Sequence, residues 1–257
     1  VDARRSRTLR EASVQEFQEI RREIRRRYGG ALTAIVVGAA LALLYGARIA
    51  GEMRDFEVYW TAASRAVRSE PLYRVEDGHY QFKYLPAFAV SLAPLSALSL
   101  PEAKAVWFAT SIGLLLAVIA LSLALLNEQR RPRWVLIAVM FVAMAKFFGH
   151  ELVLGQVNLL FAALVLSALV AMRRGRDGLA AASIVAAVIV KPYGVLFLPW
   201  LVATRTWRAT AGAVLAGIYA LGAPIVLYGW NGTLSLHRDW WRTVTASTAP
   251  NLTNPDN

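Results

Sequence analysis

A stretch of 22 uncharged residues at 105–126 sets the first constraint on this chain. As a helix rising 1.5 Å per residue, it covers the ~30 Å hydrocarbon layer of a bilayer. Further apolar runs lie at 31–50 (one charge, Arg48), 84–101 (uncharged, with Pro86, Pro94 and Pro101), 134–149 (Lys146), 153–172, 179–204 (Lys191) and 209–236. With 57% apolar residues and only 18% charged, the chain has lipid rather than water as its main solvent. Backbone exposed to lipid must satisfy its own hydrogen bonds, so the expected fold class is all-α, a polytopic membrane helical bundle.

The net charge of +11 does not call for nucleic acid, because the basic excess flanks apolar segments, where it retains loops in the cytoplasm. The absence of cysteine excludes disulfides, thiolate nucleophiles, Fe–S clusters and Cys-ligated zinc. His79, His150 and His237 share no metal-ligand spacing, and no phosphate-binding glycine loop or dinucleotide fingerprint occurs. No metal or cofactor is expected.

Residues 1–30 carry nine Arg and five acids. Ser13 and Glu16 form a capping box, and Val14, Phe17, Ile20, Ile24 and Tyr28 fall on one face, which predicts a basic helix on the anionic cytoplasmic leaflet or a solvated helix before a span. The chain opens on Val1 rather than Met and closes on polar residues 251–257, so it reads as part of a longer chain. The first apolar run starts only at Ala31 and is long enough to stay as an anchor, so a cleaved signal peptide does not fit.

Orientation follows from the basic clusters. If 84–101 lies in the outer interface without crossing, and 179–204 goes out and back at Lys191-Pro192, then residues 1–30, Arg130/Arg131/Arg133, Arg173/Arg174/Arg176 and Arg205/Arg208 all face the cytoplasm. About seven spans result, near 31–50, 105–126, 134–149, 157–172, 178–190, 193–204 and 209–228. The membrane domain is then 31–257, with a cytoplasmic N-terminus. A long first extracytoplasmic loop (51–104), a turn at 150–156, the Lys191 apex and a tail over 229–257 share the outer face.

The polar residues on that face are the candidate site. Asp55 stands just beyond the first span among aromatics, where partial desolvation suits a general base that takes a proton from a hydroxyl. The alternative reading pairs it with Arg54 or Arg65 and has it cap the following helix. Asp55 and Glu57 are two apart and diverge on a helix, so they make no ready metal pair. Lys83 and Tyr84 fall at headgroup level, to hold a lipid phosphate or to snorkel. Lys191 interrupts an uncharged run at its centre, a costly position that marks a functional cation. Gln156 and Asn158 would bind sugar hydroxyls or satisfy loop backbone. Sequons at Asn231 and Asn251 are weak signals.

Taken in order, Asp55-Phe56-x-Val58-Tyr59, Leu72-Tyr73, Phe82-Lys83-Tyr84-x-Pro86 with Ala93-Pro94-Leu95, Gly155-Gln156-Val157-Asn158-Leu159-Leu160 and Lys191-Pro192 give a pattern that resembles glycosyltransferase family 87. That family comprises GT-C-type membrane enzymes similar to bacterial polyprenol-phosphate-mannose-dependent α-mannosyltransferases. The resemblance covers about residues 50–210. It implies transfer of a hexose, mannose first, from a polyprenyl phosphate sugar to a lipid or glycan acceptor at the extracytoplasmic face of the plasma (inner) membrane, without a nucleotide sugar or required metal. Asp55 would be the general base. Lys191, with Lys83, would hold the donor phosphate, and Tyr59, Tyr84, Gln156 and Asn158 would position sugar and loop. Two features depart from the pattern: Tyr84-Leu85-Pro86 has one proline where the family has two, and the chain stops at about seven spans, as if lacking a C-terminal part.

Two other classes compete. A transporter subunit would use Lys146, Glu151 and Lys191 along a polar path, but the inverted repeats and deep polar residues that such a protein needs are missing from the sequence. A non-catalytic or degenerate subunit of a larger membrane complex fits the short chain and basic N-terminus. The ordered motifs of the long first loop favour the enzyme.

Overall fold

The computed structural model describes residues 35–49, 51–126, 132–197, 199, 203 and 206–246. The basic helix expected over 1–30, part of the 193–204 span, Arg130, Arg131, Arg205 and the Asn251 sequon lie outside the described residues. Every regular element among the described residues is helical. The chain divides after Gly46 into two compact units. The described part of the first belongs to α1 (Ile35–Ile49), an apolar helix whose Leu43 and Leu44 are open on its surface.

The second unit runs α2 (Arg54–Val67), a 3-10 turn (Val75–Tyr80), α3 (Pro86–Ser91), a second 3-10 turn (Ala93–Ala97), α4 (Leu100–Leu125), α5 (Arg133–Leu154), α6 (Asn158–Arg173), α7 (Asp177–Val190), a third 3-10 turn (Pro192–Phe197), α8 (Trp207–Gly222) and α9 (Ile225–Ala246). Helices α4 and α5, at 26 and 22 residues, are long and apolar enough to cross a membrane. The count rises to four if α1–α2 and α8–α9 are each one broken span; α8 and α9 meet at 81°. At 16 and 14 residues, α6 and α7 are apolar but reach only about 24 and 21 Å. Along α5, Trp134, Val139, Val142 and Phe147 are more than half exposed, and along α8 so are Leu215, Ile218 and Leu221. Apolar surface of this extent needs lipid to cover it, so the chain is a helical integral membrane protein.

The proline-broken run 84–101 makes no spanning helix. Pro86 opens α3, which ends after six residues, and Pro94 lies in a five-residue 3-10 turn. Three boundaries differ from the sequence reading. Helix α4 starts at Leu100 rather than 105, because Ser99 and Glu102 form a capping box there and shorten the expected 51–104 loop. The expected turn at 150–156 shrinks to Gly155–Val157, because α5 runs on through His150 and Glu151 to Leu154, driven by the fully buried Leu152. The expected tail from 229 is instead helical as far as Ala246, with a kink at Gly229 (φ 64°).

Small residues bring α6, α7 and α8 together. Ala168, Ala171, Ala180, Ala181, Ile184 and Ala209 form one buried cluster. Gly178 and Gly212 let α7 and α8 approach backbone to backbone, since a Cβ on Gly212 would overlap Gly178. That packing fixes where the C-terminal end of α7 delivers Lys191.

Candidate functional site

The site is built where α2 meets the end of α5. Gly155 caps α5 in the left-handed region (φ 69°), and a Cβ there would sit 2.8 Å from both Met53 Cε and Phe56 Cβ. Trp107 Nε1 donates to the Gly155 carbonyl at 2.9 Å. Met53, wholly buried and itself left-handed (φ 62°), donates its backbone N–H to the Val153 carbonyl at 2.8 Å. The first turn of α2 is therefore held against the α5–α6 corner, with Phe56 stacked on Trp107 at 5.3 Å between ring centres.

This arrangement brings Asp55 to the polar corner. Gln156 Nε2 donates to Asp55 Oδ2 at 2.7 Å, and Asn158 Nδ2 donates to Gln156 Oε1 at 2.7 Å. Asn158 Nδ2 also reaches Glu151 Oε1, and Lys191 Nζ donates to Asn158 Oδ1. The amide orientations follow from donor chemistry. Lys is donor only, so Asn158 must present its oxygen to Lys191 and its NH2 to Gln156; Gln156 must then turn its own NH2 to the carboxylate. A carboxylate and an ammonium are thus joined through two side-chain amides of fixed polarity.

The alternative reading of Asp55 does not match this geometry. No side chain caps the start of α2. Arg54 donates to the Tyr80 hydroxyl at 3.2 Å, and Arg65 forks onto Asp77, with the second contact at 2.8 Å. Glu57 points away from Asp55 and accepts from the buried Lys104 at 2.7 Å, so the two carboxylates diverge as their spacing predicts.

In front of this row opens a cleft of about 530 Å³, within the usual range for a small-molecule site. Asp55, Tyr59, Lys83, Tyr84 and Lys191 line it, while Gln156 and Asn158 stand behind as the link between Asp55 and Lys191. Tyr59 and Tyr84 share a hydroxyl–hydroxyl bond of 3.0 Å and an edge-to-face contact. Burial holds the Tyr84 hydroxyl above the usual phenol range, so it stays a neutral donor. Trp240 of α9 donates to the Lys83 carbonyl at 3.2 Å, and Tyr228 to the Glu70 carbonyl at 2.7 Å, so the last helix braces the loop beside the cleft.

Sequence reasoning missed several contributors. From sequence, Glu151 falls in a polar turn and on a transport path but not among the site residues, although its place seven residues before Asn158 puts both at one helix junction. His79, Tyr80, Gln81 and Tyr193 also line the cleft, and nothing local marked them. Chemically, the cleft offers one carboxylate to accept a proton and two ammonium groups to hold an anion.

These features define a helical integral membrane protein with a ligand-sized cleft that holds one carboxylate and two ammonium groups. The family model for glycosyltransferase family 87 matches residues 82–257, and the chain belongs to that family. The matched span contains Lys83, Tyr84, Glu151, Gln156, Asn158 and Lys191, and begins after Asp55 and Tyr59. No curated protein and no solved structure matches the chain.

Proposed function

We propose that this membrane glycosyltransferase moves a hexose, mannose first, from a polyprenyl phosphate sugar to a hydroxyl of a lipid or glycan acceptor at the extracytoplasmic face of the plasma membrane. The observation that carries the proposal is the row Asp55–Gln156–Asn158–Lys191 along one cleft. Asp55 takes the proton of the acceptor hydroxyl as its oxygen attacks the anomeric carbon. The bond from that carbon to the phosphate oxygen breaks, its electron pair leaves with polyprenyl phosphate, and the configuration inverts. Lys191, with Lys83 lining the same cleft, stabilises the charge left on the phosphate in a site partly shielded from water. Asp55 then returns the proton to water. Tyr59 and Tyr84 border the donor sugar, and Gln156 and Asn158 position the two charged groups rather than the sugar.

A GT-C architecture of about seven spans, with an N-terminus in the cytoplasm and residues 1–30 on anionic lipids, accompanies this reading. It gives 51–104 and the Lys191 apex a common outer side. The test is transfer of labelled mannose from polyprenyl phosphate mannose to membrane lipid acceptors in vesicles. Asp55→Asn is expected to lower it by about 10²–10⁴-fold with folding intact. Full transfer by that variant would remove Asp55 as the base, and no transfer by the unmodified chain would count against this donor.

A further inference from the structure

A second, smaller cleft lies on the other side of the α2 start. One face of α2 lines it through Arg54, Glu57, Thr61 and Arg65, at the three- and four-residue spacing of neighbours on a helix, and Asp77 and Tyr80 of the 3-10 turn close it. Its volume is about 220 Å³, below the ~300 Å³ at which drug-sized pockets begin. Asp55 follows Arg54 by one residue, about 100° around the helix, and so opens into the larger cleft instead. Val58 and Tyr80 line both clefts and form their common wall.

The two linings differ in charge. The larger cleft carries Lys83 and Lys191 against Asp55, a net cation that suits a phosphate. The smaller one balances Arg54 and Arg65 against Glu57 and Asp77. Its carboxylates are held in place, Asp77 by the Arg65 fork and Glu57 by Lys104, whose side chain is only 5% exposed. A carboxylate oxygen carries more lone pairs than one pairing consumes, so both keep acceptor capacity toward the cleft. Arg54 donates to the Tyr80 hydroxyl at 3.2 Å and keeps further N–H donors, and Thr61 adds a hydroxyl. Many fixed donors and acceptors in a small, charge-neutral volume match a neutral polyol and disfavour an anion.

We infer that the cleft between α2 and the Val75–Tyr80 turn seats one neutral sugar ring of the acceptor, whose attacking hydroxyl reaches past Val58 and Tyr80 to Asp55. The inference rests on the transferase reading above, with the donor in the larger cleft. Donor and acceptor then approach the base from opposite sides: the acceptor ring rests in the smaller cleft, and its attacking oxygen enters the larger one beside Asp55, in line with the donor's anomeric carbon and phosphate.

The test has two parts. Thr61→Trp fills the smaller cleft from a residue that does not line the larger one. In the vesicle assay it is expected to raise the acceptor KM about tenfold or more while the donor KM stays within about twofold. Arg54→Gln, at an exposed position where folding is not at stake, is expected to raise it about fivefold, the worth of one hydrogen bond. The second part needs no turnover: a diazirine-bearing methyl mannoside is photocrosslinked to the full chain with unmodified methyl mannoside as competitor. Competed labelling of peptides holding Thr61 and Asp77, lost in Thr61→Trp, supports the site. Labelling confined to the Lys83 and Tyr193 side, labelling untouched by Thr61→Trp, no competed labelling, or a rise in donor KM alone each overturns it. Absence of transfer by the unmodified chain would break the donor reading and leave the crosslinking map to judge this cleft.

Discussion

The corner where α2 meets α5 and the α6–α7–α8 packing are built from opposite materials. The corner relies on large aromatics and directed hydrogen bonds: Phe56 on Trp107, Tyr59 on Tyr84, Trp107 on the Gly155 carbonyl. The packing of α6 to α8 uses alanines and a Gly178–Gly212 crossing, with almost no polar side chain in its cluster. Between helices in lipid, apolar side chains gain nothing by leaving one apolar medium for another, so close backbone approach is what holds them. A site that must aim a carboxylate and an ammonium at one ligand needs directional contacts, which the corner provides.

That contrast can be broken at either end. The largest expected effect is Gly155→Ala, which forces a left-handed alanine at roughly 1–2 kcal/mol and overpacks Met53 and Phe56 at roughly 1–3 kcal/mol more. Thermal unfolding in detergent should show a large fall, with Asp55 chemistry lost alongside. Next is Lys191→Met, which removes the cation proposed to hold the donor phosphate and the group that donates to Asn158. Transfer should fall about 10²–10³-fold, with a much smaller change in melting than Gly155→Ala. Full melting loss without a transfer defect would assign Lys191 to structure instead.

Gly212→Val should cost about 1–3 kcal/mol by pushing α8 off Gly178, while Gly212→Ala costs less. If both are silent in a melting scan, the small-residue packing is not what holds these helices. The smallest effect belongs to the Arg65–Asp77 fork. The Arg65 guanidinium holds the Asp77 carboxyl below the usual carboxylate range. Since that group's pKa is lowered on folding, the pair's contribution is complete above the ordinary Asp value near ~4 and fades as pH falls through the lowered one. Asp77→Asn should therefore cost about 1 kcal/mol at neutral pH, and the gap from the unmodified chain should close in acid.

Much of this was legible from sequence because the cues were local. Uncharged runs give the helices, Pro86 and Pro94 break the 84–101 run, and an isolated Lys191 in an apolar run has to reach a partner. The gathering of Asp55, Tyr59, Lys83, Tyr84 and Lys191 around one cleft also followed from assigning them to one side. The end of α5 was misread because His150 and Glu151 look like loop residues. Leu152 and the Gly155 cap carried the opposite signal, an apolar anchor and a left-handed stop. The partners of Arg65 and Glu57 were beyond reach, since Asp77 and Lys104 lie 12 and 47 residues away and only the folded loop brings them in.

The row of amides has a further consequence, in time rather than space. Its members come from α2, the corner, the first turn of α6 and the end of α7, with steps of 101, 2 and 33 residues between them. Contacts so far apart in sequence form late, after the loop-closure entropy between them has been met. Until α7 has docked, Lys191 is missing from the row: Glu151 alone orients Asn158, and the Asn158 oxygen has no ammonium to accept from. A chain still inserting into the membrane therefore carries all the residues of the site without the site itself, and its chemistry begins only when the last of these helices is seated.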